Sequence, residues 1–505
     1  MSPIPGPWIL LFAPLGAAVV TYLVRRWTFL AALVAAVSTG LIAILSLQLP
    51  LDRSAFVLGQ EVAFGRPVVV MGQTLVLDPA GQVWLAFVFG LAAIYYLLAW
   101  RIPQGRSYFA FNLVILAIYA LVVLLEPLAL SVIAFAISAT LAVFVIQAGQ
   151  PASVRGAQRY LLVTLLAVPM LLAASWFLEQ SLLSVEVVSG VTNAADLATT
   201  AGLADALLRR ALLLAALGFG LLLAAFPFST WMPTLAADGP PLVTAFFFTA
   251  GQGMALYLAF SFFRAAPAVL EDPAVLIVIQ LAALGMAISG GIMAAAQRDL
   301  GRLFGYAALS DLGVVLLALN AGGSRAIDLT LLHMIARGLS ITLMAAAIGI
   351  LRHRSTNDSF SELGGLARRL PVATAALIVG GLGLAGLPLT PGFATHWAVG
   401  RAVWNWAYVF APGAAGSGIE TIPGQEWVWA ITLVALLASS VGVVIGVLRA
   451  LGAMAGFEPR DDVAPQPVLA SLLLLSLIAF GVVLGLRPQI FAESVSTAVR
   501  ALSLF

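Results

Sequence analysis

Residues 371–396 read PVATAALIVGGLGLAGLPLTPGFATH. The first half is a continuous apolar run, and about 20 such residues as a helix cross a ~30 Å hydrocarbon layer. Gly386-Leu387-Pro388 and Pro391-Gly392 then interrupt it. Pro removes a backbone donor and Gly loosens a helix, yet apolar character resumes to about 412. The segment 371–412 is too long for one span and reads as a broken helix. Such breaks are tolerated at membrane depth only where protein or a watery cavity surrounds them, and transporters place their sites there. A kink used only for packing is the alternative.

The rest of the chain agrees with a membrane environment. Of 505 residues, 62% are hydrophobic and 9% charged, with mean hydropathy +1.07. Soluble domains carry roughly a quarter charged residues, and disordered chains are far less apolar. A porin would alternate apolar and polar residues, whereas these runs are continuous. Read between Arg, Pro and Gly, the runs lie near 7–24, 28–50, 79–101, 108–126, 128–149, 158–178, 210–228, 240–263, 274–296, 305–321, 328–352, 371–412, 427–451 and 466–486. This is an all-α polytopic membrane protein of about fourteen transmembrane helices. A second break is expected near 222–234, where Phe226-Pro227-Phe228-Ser229-Thr230-Trp231-Met232-Pro233 ends the seventh run. Pro227, Pro233, Pro388 and Pro391 are the expected helix breakers.

Every basic residue is Arg. Loops after odd-numbered spans hold fourteen, including Arg106 and Arg460; the even loops and the tail, with Arg500, hold eight. The positive-inside rule puts the odd loops in the cytoplasm and both termini outside, in what is expected to be a bacterial plasma membrane. The apolar start lacks a basic n-region and reads as a first span rather than a cleaved signal. Segment 51–77, with Val68-Val69-Val70 and Leu75-Val76-Leu77 around Gly72, reads as an external hairpin. Segment 179–208 is expected to lie along the outer surface, and the tail from 488 to form a surface helix. Gly290-Gly291 and Gly380-Gly381 read as close helix contacts, and the Trp and Tyr cluster at 397–408 as an interfacial belt. With no Cys and three His, thiolate-bound iron–sulfur, Cys-type zinc and c-type haem sites are excluded. No metal or cofactor is expected in this chain. A net charge of +2 gives no case for nucleic acid.

Residues 226–257, FPFSTWMPTLAADGPPLVTAFFFTAGQGMALY, resemble the proline-rich break and following span of the antiporter-like membrane subunits of respiratory complex I and Mrp-type cation/proton antiporters. Asp299-Leu300-Gly301-Arg302-Leu303 with Tyr306-Ala307-Ala308-Leu309-Ser310 is similar to a second family segment. Glu362-Leu363-Gly364-Gly365-Leu366-Ala367-Arg368-Arg369, Leu384-Ala385-Gly386-Leu387-Pro388 and Gly392-Phe393 resemble a third. The resemblance implies two inverted five-helix repeats. It also implies four regions: an N-terminal three-helix region at 1–107, repeats at 108–263 and 274–412, and a C-terminal two-helix region at 427–505. A mid-membrane line of ionisable groups relays protons in that family.

Carried onto this chain, the resemblance places the first-repeat relay groups at Ala136, Leu222 and Gly253, with Tyr257 retained; none of the three ionises. The second repeat keeps ionisable residues. His333 and Arg337 stand at i, i+4 where the family has a His–Lys pair, Asp311 where it has His or Gln, and His396 where it has its terminal Lys or Glu. Histidine titrates nearest neutrality, so His396, His333 and Asp311 are the expected relay. Arg337 cannot release its proton and is the expected charge anchor, with Asp311 its nearest candidate partner. Structural histidines and a structural ion pair are the alternatives. Arg401 and Glu126 read as interfacial.

Three functions remain in view. The first is a proton-conducting subunit of a complex I-like NADH:quinone oxidoreductase, bound to antiporter-like paralogues and other membrane subunits. The second is a cation/proton antiporter subunit without redox partners, a monovalent cation being the alternative coupling ion. The third is a non-conducting scaffold. A short tail after the last span favours a medial or stand-alone position.

Overall fold

The computed structural model describes residues 3–409 and 425–489, apart from 49, 58, 103, 106, 149–152, 190–193, 320–322, 356–357, 457–462 and 488. The expected tail helix, and Arg106, Arg460 and Arg500, lie outside the described residues. So do the side chains of Trp406 and Tyr408 in the expected belt, whereas Trp397 and Trp404 are exposed.

The chain enters through α1 (Gly6–Leu23) and α2 (Thr28–Gln48). Short strands β1 (Ile4–Pro5), β2 (Ala55–Val57) and β3 (Gln60–Ala63) form one small sheet, with β3 in the middle. β4 (Val68–Val70) pairs antiparallel with β5 (Gln73–Leu75), and the tight turn between them uses positive φ at Met71 and Gly72. Helices α3 (Pro79–Ala99), α4 (Tyr108–Leu124), α5 (Leu128–Gln147), α6 (Arg155–Ser189) and α7 (Ala194–Leu222) follow. Next come α8 (Trp231–Asp238), α9 (Pro241–Phe246) and α10 (Gln252–Ala265), the last two joined by a π-helical turn at Phe247–Gly251 into one span. The second half comprises α11 (Pro273–Ala296), α12 (Leu300–Leu319), α13 (Gly323–Arg354), a single turn α14 (Leu366–Arg369), α15 (Pro371–Leu384), α16 (Phe393–Val409), α17 (Gln425–Met454) and α18 (Val468–Leu486). Among the described residues, eleven helices are long and apolar enough to cross a membrane, and Tyr108–Leu124 and Pro371–Leu384 are shorter apolar helices. The protein is integral to the membrane.

One expectation fails. Segment 179–208 is not a separate surface stretch: α6 and α7 run through most of it and pack on each other, with Ser181 Oγ donating to Ala204 O at 2.8 Å. Hydropathy marks where the hydrocarbon ends, and a helix can continue beyond that point in water.

Burial sorts the helices. The π-containing span Pro241–Ala265 is enclosed along its whole hydrophobic window, and α12 and α13 nearly so, whereas α1, α6 and α18 keep large exposed faces. Helix axes come close where the sequence supplies Gly. A Cβ on Gly290 would stand 2.5 Å from Ser310 N, and one on Gly291 2.5 Å from Ser439 Cα. On Gly380 it would stand 2.6 Å from Met344 N. Without hydrocarbon–water exclusion to drive helices together inside a bilayer, such close van der Waals packing does that work.

The two breaks occupy 223–230 and 385–392, between α7 and α8 and between α15 and α16. Pro233 lies within α8 rather than in the break, in its first turn, where its missing N–H costs no helical bond. Both breaks close with the same hydrogen bonds. Leu223 N donates to Phe219 O, Ala224 N to Leu221 O and Ala225 N to Gly220 O. In the second, Ala385 N donates to Gly381 O, Gly386 N to Gly383 O and Leu387 N to Leu382 O. The corresponding residues Ala224 and Gly386 both have positive φ, 53° and 70°. Arg352 at the end of α13 holds α8 in place, donating to Ala236 O, Ala237 O and Gly239 O at 2.9–3.1 Å and pairing with Asp358. Asp299 caps α12, its Oδ1 accepting from Arg302 N at 2.7 Å.

Candidate functional site

Asp311, His333, Arg337 and His396 come together in the interior. Asp311 stands on α12, the i, i+4 pair His333 and Arg337 on α13, and His396 in the first turn of α16, directly after the second break. All four are buried. An isolated charge in such a place costs several kcal/mol, and the polar contacts meet part of that cost.

Arg337 holds one side of the carboxylate. Its Nη1 donates to Asp311 Oδ2 at 2.5 Å and to Ala308 O at 2.8 Å, and its Nη2 donates to Gln252 Oε1 at 2.8 Å. Phe248 O, in the π-helical turn, accepts from Nη2 at 3.4 Å. Gln252 in turn reaches Met232 Sδ on α8, 3.2 Å away. The guanidinium therefore ties α12 and α13 to the enclosed span and to the helix following the first break.

The other carboxylate oxygen faces the imidazoles. Asp311 Oδ1 lies 3.2 Å from His333 Nε2 and 3.5 Å from His396 Nε2. Neither approach has hydrogen-bond alignment in this conformation, so Oδ1 and His333 Nε2 are both buried without a hydrogen-bond partner. The two rings meet edge to face, centroids 4.8 Å apart.

The far nitrogens are fixed by the second break. His396 Nδ1 lies 3.0 Å from Gly392 O; a carbonyl only accepts, so this nitrogen carries hydrogen. Thr395 Oγ1 donates to the same carbonyl at 3.0 Å, which leaves it as acceptor toward His333 Nδ1 at 2.8 Å. Gly386 allows the packing: a Cβ there would stand 2.4 Å from His396 Cγ. The break thus orients both imidazoles, which answers why irregular backbone is found here.

The sequence marks the four ionisable residues but neither Thr395 nor Gln252. Thr395 carried one usable signal, its adjacency to His396 after a break. Gln252 neighbours Gly253, where the resemblance places a first-repeat relay group. The first-repeat positions sit in different surroundings. Leu222 lines a small pocket with Phe135, Tyr160, Trp231 and Phe247. A Cβ on Gly253 would meet Trp84 and Phe87 at 3.3 Å, and Ala136 is half-buried. Tyr257 donates to Val123 O at 3.2 Å.

A helical membrane bundle with two interrupted spans and a buried carboxylate–imidazole–guanidinium group packed against one of the breaks has the architecture of an antiporter-like membrane subunit. The chain belongs to the family described as NADH:quinone oxidoreductase/Mrp antiporter, TM, whose model matches residues 126–419. It is 30% identical over 316 residues to NADH-quinone oxidoreductase subunit N 2 of Acidobacterium capsulatum; the match covers 60% of this chain and 60% of that relative's length. Its fold is similar to a chain of the Mrp complex from Dietzia sp. DQ12-45-1b, with TM-score 0.78 and 21% identity, over 98% of this chain and 52% of that one. It is also similar to a chain of respiratory complex I from Thermus thermophilus with bound NADH, with TM-score 0.71 and 18% identity, over 97% and 98% of the two chains.

Proposed function

We propose that this chain is a proton-conducting, antiporter-like membrane subunit of a complex I-like NADH:quinone oxidoreductase. It would couple electron transfer on partner subunits to proton movement through its second half. The observation that carries this reading is the approach of two imidazole Nε2 atoms to a single oxygen, Asp311 Oδ1. Both imidazoles already commit Nδ1 to Thr395 and Gly392, so a proton is taken up and released at Nε2. A proton held by His396 against Asp311 Oδ1 has His333 Nε2 as its next acceptor. Arg337 stays charged and keeps the carboxylate ionised without taking part in transfer.

On this reading the first-repeat route through Ala136, Leu222 and Gly253 is lost, and redox groups belong to partner subunits. The matching hydrogen bonds of the two breaks support two equivalent repeats at 108–263 and 274–412. The Arg asymmetry supports a plasma-membrane orientation with both termini outside. Antiport without redox partners is the second reading, favoured by the likeness to the Mrp chain.

Purification of the native complex, with its subunits identified, separates the two. Co-purifying quinone-site and iron–sulfur subunits, with proton uptake on quinone reduction in vesicles, are the expected result. A complex of small membrane subunits alone would refute the redox reading.

A further inference from the structure

The hydrogen-bond pattern of the same cluster describes more than a proton route. With Nδ1 of both imidazoles donating outward, the neutral rings present lone pairs at Nε2, and Asp311 Oδ1 presents another. Three electron-rich atoms therefore converge with no donor between them. His333 Nε2 and Asp311 Oδ1 have no hydrogen-bond partner, and one ligand atom from each of the three residues lies within 4.8 Å of the others.

We propose that Asp311, His333 and His396 form a binding site for a transition-metal dication of the Zn2+ type. Zinc binds imidazole nitrogen and carboxylate oxygen at about 2.0–2.2 Å, which sets tetrahedral ligand atoms about 3.4 Å apart. The separations from Asp311 Oδ1 are 3.2 and 3.5 Å, whereas the set as a whole extends to 4.8 Å, so metal binding draws the two imidazole nitrogens closer together than they stand here. The surroundings also match. Metal-bound imidazoles nearly always donate their other N–H to a carbonyl, carboxylate or water, and ligating carboxylates are themselves hydrogen-bonded. Here Gly392 O receives from His396, Thr395 Oγ1 from His333, and Asp311 Oδ2 is held by Arg337. The guanidinium opposes a dication electrostatically, but its bonds to Ala308, Gln252 and Phe248 keep it on the Oδ2 side. Two nitrogens and one oxygen select against Mg2+ and Ca2+, which prefer all-oxygen shells. The fourth position is left to water or hydroxide. This departs from the sequence expectation of no metal.

Bound metal occupies both Nε2 atoms, so it should block proton transfer; this consequence, unlike binding itself, rests on the proposed function. The test uses the full chain purified in detergent through a tag without histidine. It is titrated with Co2+, read by its visible d–d absorption, and then with Zn2+ as competitor. One Co2+ per chain with a four-coordinate spectrum, displaced by Zn2+ and not by Mg2+ or Ca2+, is expected. His396→Ala and His333→Ala should abolish the spectrum. Thr395→Val, which spares all three ligands, should weaken binding by about 10–100-fold. His353→Ala, at the exposed end of α13 and the only other histidine, should leave it unchanged. Absence of stoichiometric binding to the wild-type chain, or a spectrum unaltered by His396→Ala, would overturn the site. Should the Ala variants fail to fold, X-ray absorption on the wild-type cobalt form decides: two imidazole ligands support the site, and fewer overturn it. Metal binding in a chain that moves no protons would leave the site standing and sink the proton-conducting role. Proton flux without metal binding would do the reverse.

Discussion

Replacing Arg337 with Met keeps length and apolar volume but removes a buried cation with four hydrogen-bond acceptors around it. It deletes the bonds to Asp311 Oδ2, Ala308 O and Gln252 Oε1. Asp311, 1% exposed, is then left without a cation beside its carboxylate. Breaking a buried pair from one side costs about 3–5 kcal/mol, because the surviving charge is uncompensated. That is a large share of the ~5–15 kcal/mol that holds a typical domain folded. A double variant, Asp311→Asn with Arg337→Met, removes the surviving charge as well. Its cost should fall to about 1–3 kcal/mol for imperfectly bonded polar groups. Thermal unfolding of the detergent-purified chain, followed as loss of the monodisperse peak, should rank wild type above the double variant and the double variant above Arg337→Met. Equal losses in the single and double variants would refute the ion-pair argument, as would an Arg337→Met melt indistinguishable from wild type.

Other perturbations probe separate parts of the account. Gly386→Ala places a methyl 2.4 Å from His396 Cγ at a φ of 70°. It should lower stability by about 1–3 kcal/mol and displace the imidazole, seen as a lower melting temperature together with reduced proton flux. Asp299→Ala removes the cap on α12 and should cost about 0.5–2 kcal/mol, measured by the same melt, with flux per folded molecule unchanged. Burial raises the Asp299 carboxyl above its ordinary value. A group with a raised folded-state pKa favours folding below its unfolded pKa and loses that contribution as pH rises through the folded value. The destabilisation measured for Asp299→Ala should therefore be smaller at neutral pH than at acid pH. Gly291→Leu forces α11 from α17 at the approach to Ser439 and should abolish recovery of folded protein, whereas Gly16→Ala, with open space around its Cβ, should be silent.

The membrane class and the two interruptions were legible because an apolar run and a Pro-Gly cluster act locally. The Asp311–Arg337 pair was legible for another reason: charges are so scarce in these helices that a buried one has few possible partners. Helix length at 179–208 was not legible, since hydropathy reports the bilayer and not the backbone. Nor were Thr395 and Gln252. Neutral polar residues recur throughout such helices, and their partners, His333 and Arg337, stand on other helices. The convergence of two imidazoles on Asp311 Oδ1 depends on where α12, α13 and the start of α16 lie relative to one another. Sequence spacing on any single helix does not encode that.

Proton entry into vesicles carrying the assembled complex, driven by an imposed gradient and compared between wild type and His396→Ala at matched amounts of folded protein, tests the relay most directly. The substitution should remove the share of the flux that this chain carries and leave only that of the other antiporter-like subunits. Wild-type flux in His396→Ala would contradict the relay.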